Sequence, residues 1–98
     1  MYIIRNIFQL RFGAWKDAKA LLDEAYSKGI LPDVKSARVL TEFAGDSSCI
    51  IFEEGYDSLT EYEGTLRANH NKSRWQKWNT KFTQFVASSR IEILKQVL

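Results

Sequence analysis

The sequence predicts an α+β fold, a four-stranded antiparallel sheet with helices on one face. Two observations carry it. Apolar residues alternate at period two in four stretches, near residues 2–12, 35–44, 48–55 and 90–98. Between the first and second, and again between the third and fourth, they recur at helical spacing. The order is therefore β-α-β-β-α-β.

In the first strand, Tyr2, Ile4, Phe8, Leu10 and Phe12 share one face with Asn6, while Ile3, Arg5, Ile7, Gln9 and Arg11 share the other. Gly13 punctuates, and a helix follows to about Lys28. Its stripe is Trp15, Ala18, Leu21, Leu22, Ala25 and Tyr26, and Gly29 supplies the C-terminal stop. A loop with Pro32 leads into the second strand, where Ala37, Val39, Thr41 and Phe43 oppose Ser36, Arg38, Leu40 and Glu42. Gly45-Asp46-Ser47 has hairpin-turn chemistry. Ser58 and Glu61 have capping-box spacing at the start of the second helical region, with Leu59, Tyr62 and Leu66 facing inward. The pattern loosens over residues 67–72. Ser73 and Gln76 repeat the capping spacing, so a break near 70–72 and a fresh helix to about Ser88 are expected. Trp75, Trp78, Phe82 and Phe85 share one quadrant of that helix, beside Arg74, Lys77 and Lys81. Short connections and right-handed crossovers then favour the ferredoxin-like sheet, with the first and third strands central.

A chain of 98 residues is one domain, spanning 1–98. At 45% hydrophobic and 27% charged it has an ordinary globular composition. Cys49 is the only cysteine, which excludes an intrachain disulfide; in the apolar run Cys49-Ile50-Ile51-Phe52 it reads as a buried thiol. No secretory pattern opens the chain and no apolar run approaches the roughly 20 residues that span a bilayer. A cytoplasmic protein without membrane partners is expected. Charge is segregated: residues 42–63 hold acids without Lys or Arg, and residues 64–91 hold bases without acids. Two solvated, mutually attracting faces account for this, and a nucleic-acid surface is not favoured because the aromatics beside the bases fall on the core side.

The face of the sheet away from the helices is mixed. Ile7, Leu40, Ile51 and Leu94 sit among Arg5, Gln9, Arg38, Glu42, Glu53 and Glu92. An apolar centre ringed by both signs of charge predicts an interface with its own ion pairs. A homodimer packed sheet on sheet through Ile7, Arg38, Leu40, Ile51 and Leu94 satisfies it.

The strand order, Tyr2-x-x-Arg5, Gly13-Ala14-Trp15, Phe52-Glu53-x-x-Tyr56-x-Ser58-Leu59-x-x-Tyr62-Glu63 and Trp75-x-x-Trp78-x-x-x-Phe82 resemble the dimeric α+β barrel superfamily over nearly the whole chain. The pattern is most similar to its NIPSNAP-like and antibiotic-biosynthesis-monooxygenase-like branches. The resemblance implies two sheets facing each other in a dimer and a ligand between sheet and helices. Members include cofactor-independent monooxygenases, haem-degrading enzymes and isomerases. The haem-degrading members use an Asn on the first strand, which Asn6 matches, and also a Trp and a His. Those two positions fall near Thr65 and Asn79, so haem degradation is disfavoured.

The residues themselves carry no phosphate loop, nucleophile elbow or metal-ligand spacing, and neither cofactor nor metal is expected. Candidate ligand contacts are Asn6, Tyr62, His70, Trp75 and Trp78, with Asn6 and His70 the candidates for chemistry. Asn6 is polar on an apolar face and must be paired. His70 is the sole histidine. Glu54 shares strand parity with Phe52 but precedes Gly55, which suggests an exposed strand end. The sequence thus supports a small-ligand-binding homodimer, with metal-free oxygenation of an aromatic or polycyclic substrate as its concrete form. The alternative is a non-catalytic protein that binds a macromolecule through its charged faces.

Overall fold

The computed structural model describes residues 1–31, 36–42, 44, 48–70 and 72–98, with the side chains of 69 and 70 outside the description. The elements are β1 (Tyr2–Leu10), α1 (Trp15–Ser27), β2 (Ser36–Thr41), β3 (Cys49–Tyr56), α2 (Leu59–His70), α3 (Ser73–Thr83) and β4 (Val86–Lys95). The strands pair antiparallel in the order β2-β3-β1-β4, so the ferredoxin-like sheet has β1 and β3 at its centre as expected.

Local chemistry fixes the helix ends. Gly29, at φ 64°, closes α1. Ile30 N–H donates to Ala25 O at 2.9 Å and Gly29 N–H to Tyr26 O at 3.3 Å, the paired bonds of a Schellman stop. Ser58 Oγ accepts from Glu61 N–H at 3.2 Å and caps α2. The matching Ser73–Gln76 cap is not used: Lys72 is the N-cap of α3 and makes no side-chain cap bond.

Several boundaries differ from the sequence reading. α3 ends at Thr83, and β4 starts at Val86 rather than Arg90. Phe85 N–H closes a turn onto Phe82 O at 3.0 Å, and Phe85 O accepts from Arg11 N–H at 2.8 Å. Phe82 and Phe85 thus keep helical spacing across a turn, which periodicity alone does not distinguish from a continuing helix. β1 stops at Leu10, and Phe12 beyond it is fully exposed. Tyr26, assigned above to the buried stripe of α1, is exposed as well. Pro32, Phe43 and the Gly45-Asp46-Ser47 turn lie outside the described residues.

Helices cover one sheet face. Ala18 and Ala25 are fully buried, and their small side chains let α1 lie close over Leu10 and Ile50. Leu22, Trp78 and Phe82 complete that core. Phe8, Phe52 and Phe82 meet edge to face at centroid separations of 5.4 to 6.0 Å. The cover does not reach β4, where Ile91 and Ile93 stay half exposed on this same face.

On the opposite face the register lines up two rows across the strands. Leu40, Ile51 and Ile7 form an apolar row that ends on β4 at Arg90, while Leu94, expected in the same centre, pairs with Ile3 beyond the charged row. Arg38, Glu53, Arg5 and Glu92 form the next, alternating in sign. Arg38 grips Glu53 with two bonds of 3.1 and 3.3 Å, and Arg5 stands 3.9 Å from Glu92. Glu53 is only 8% exposed, so its charge rests on that two-pronged pairing.

Candidate functional site

A cavity of about 140 Å³ opens between the helix-covered sheet face and α2–α3. Each element contributes at its own period. From the sheet come Asn6 and Phe8 of β1, and Phe52, Glu54 and Tyr56 of β3, two residues apart along each strand. α2 contributes Tyr62, Thr65 and Leu66, one turn apart. From α3 come Trp75, Trp78, Asn79 and Phe82.

The tryptophans both fill the core and wall the cavity. Trp78 is 3% exposed, and its indole N–H donates to Leu21 O at 2.8 Å, which locks the ring against α1. Trp75 and Phe82 stack on either side of it, at centroid distances of 5.5 and 5.0 Å. The half-buried edge of this stack lines the cavity.

The polar end is built on β3. Tyr56 is buried, and its hydroxyl donates to Glu54 Oε2 at 2.5 Å. Burial, then the hydrogen bond to Glu54 and its charge, push the Tyr56 hydroxyl well above the ordinary tyrosine range. Tyr62 packs against Tyr56 at 5.4 Å and is shifted the same way, by burial and by the Glu54 charge. Both phenols therefore stay protonated at neutral pH. Glu54 is left as the cavity's anion and as a strong hydrogen-bond acceptor. Its placement corrects the reading as an exposed strand end: strand parity turns it under α2, whatever follows at Gly55.

Of the candidates named from sequence, Asn6, Tyr62, Trp75 and Trp78 all line this cavity. His70 is the last residue of α2, and its side chain lies outside the described residues. Sequence reasoning missed Tyr56, although it falls two residues beyond Glu54 on the same face. Thr65 and Asn79, which the resemblance set at the Trp and His positions of haem-degrading members, do reach the cavity, carrying neither residue type. Among the described residues, no group of three His, Cys, Asp or Glu side chains is placed to hold a metal ion. No described helix is long and apolar enough to cross a membrane.

A second, larger hollow of about 330 Å³ lies between α1 and β2, lined by Trp15, Leu22, Tyr26 and Val39. Its charged groups Lys19 and Asp23 are paired with each other on the surface of α1.

No protein-family model matches the sequence, and no curated protein matches it. Solved structures do. A NIPSNAP family protein from Agrobacterium tumefaciens superposes with a TM-score of 0.87 at 21% identity, over 98% of this chain and 92% of its own. An uncharacterized NIPSNAP domain protein from Burkholderia xenovorans gives 0.84 at 14% identity, over 99% and 95% of the two chains. An antibiotic biosynthesis monooxygenase gives 0.75 at 10% identity, over the full length of both. The chain therefore has the ferredoxin-like fold shared by the NIPSNAP and antibiotic-biosynthesis-monooxygenase proteins, as the resemblance implied.

Proposed function

We propose that this protein is a small-ligand-binding homodimer whose cavity between the sheet and α2–α3 takes an electron-rich aromatic ring. The observation that carries this is the convergence of Asn6, Glu54, Tyr62, Thr65 and Asn79 on one aromatic-walled space. A hydrophobic core alone leaves no reason to gather five polar side chains under two helices. The size limits the ligand. A dry cavity of about 150 Å³ accepts benzene, so a space of about 140 Å³ encloses one ring. A polycyclic substrate would leave its remaining rings outside.

The reaction suited to such a site is oxygenation without metal or cofactor. A phenol with an open para carbon, for example, supplies the electrons that reduce dioxygen. One oxygen atom becomes the new quinone carbonyl and the other leaves as water. Asn6 and Tyr62 would orient the ring's polar group, and Trp75 and Trp78 would wall it. The fold shared with an antibiotic biosynthesis monooxygenase supports this reading. Oxygen uptake with single-ring phenols and aminophenols tests it. Protein-dependent uptake that yields one water per quinone, and that falls at least tenfold in Asn6→Ala, is expected. Uptake no faster than in buffer across the panel would reject the oxygenase step.

Dimerisation uses the other sheet face. It is supported by the apolar row Leu40–Ile51–Ile7 beside the charged row Arg38–Glu53–Arg5–Glu92. A second copy would cover the row.

A further inference from the structure

We infer that the ligand carries a positive charge beside its ring, a protonated amine held by Glu54 and the surrounding aromatic faces. The inference rests on the reading of this cavity as a ligand site and names the class of ligand it takes. Among the described residues lining the cavity, Glu54 is the one that bears a formal charge. The bases of α3 do not compensate it. Arg74 turns away to donate to Lys28 O at 2.7 Å, Lys81 lines a separate hollow beside α1, and Lys77 is exposed. Glu54 therefore sets a negative potential in a space walled by Phe8, Phe52, Tyr62, Trp75 and Trp78.

Aromatic faces add to that preference, because the negative quadrupole of each ring attracts a cation and repels an anion. The Tyr56 hydroxyl occupies Oε2 of Glu54 and fixes the carboxylate, so Oε1 is the oxygen that would meet an ammonium group. Neither phenol can become a competing positive group, and both are held neutral. A carboxylate or phenolate ligand would stand against Glu54 with no counter-charge. An ammonium group would neutralise it and leave the ring for the tryptophans.

Titration at pH 8 with benzylamine, benzyl alcohol and benzoate separates these cases, because the three share a ring and differ in charge. Benzylammonium should bind at least tenfold more tightly than benzyl alcohol, with benzoate weakest. Glu54→Gln should abolish the ranking while benzyl alcohol still binds. Should that variant fail to fold, the ranking on the unmodified protein decides. Equal or tighter binding of benzyl alcohol or benzoate, or an ammonium preference that survives in Glu54→Gln, overturns the inference and leaves the cavity as a ligand site. Binding of none of the three overturns both.

Discussion

The two faces of the sheet are built from alternate residues of the same strands, yet they do different work. On β3, Phe52, Glu54 and Tyr56 point under the helices and line a cavity, while Ile51 and Glu53 point outward into the apolar and charged rows. Each face holds a glutamate of β3 in a polar bond, and the partner differs. Glu53 is gripped by a cation, Arg38, which neutralises it. Glu54 is held by a neutral phenol, which fixes it without cancelling its charge. A carboxylate already paired with arginine suits a structural face. One paired with a tyrosine keeps its field for a ligand.

The comparison can be broken at either face. Trp78→Ala removes a buried ring and its bond to Leu21 O from the covered face, and should cost about 3–5 kcal/mol in denaturant unfolding. Loss below about 1 kcal/mol would mean the stack does not anchor α3. On the open face, Leu40→Glu should leave the fold intact and weaken self-association about a hundredfold, read by light scattering at micromolar protein. An unmodified protein that scatters as a monomer there would remove the dimer. Ser58→Ala should destabilise by about 1 kcal/mol through the lost cap, chiefly loosening the α2 wall of the cavity.

The alkaline limit sharpens the same contrast. Tyr56 and Tyr62 ionise at higher pH in the folded protein than in the unfolded chain, so the unfolded chain loses those protons first. Their contribution is complete below the ordinary tyrosine value of 10.0 and is lost as pH rises through the folded values. Stability should fall above pH 10 in a pH series of unfolding curves, and Tyr56→Phe should reduce that fall.

Strand parity made much of this legible in the sequence. It separated Asn6 and Phe8 from Ile7 and Gln9, and it placed Leu40, Ile51 and Ile7 on one face before the register was known. The covered face was harder. Sequence reads Glu54 as an exposed strand end because a glycine follows it, and does not show that α2 folds back over that strand end. Thr65 and Asn79 carry no signal of their own: an exposed helix has many such residues, and only tertiary packing turns these two inward. The end of α3 is hidden in the sequence for a related reason, since Phe85 packs on the core from a turn as well as it would from a helix.

The three tryptophans allow the central claim to be tested directly, because Trp75 and Trp78 line the cavity while Trp15 lines the hollow between α1 and β2. Their indole N–H signals can be followed by nitrogen-15 NMR while benzylamine is titrated in. Saturable shifts of Trp75 and Trp78 with Trp15 unmoved are the predicted result. Saturable movement of Trp15 alone, or no saturable shift in any of the three, would contradict it.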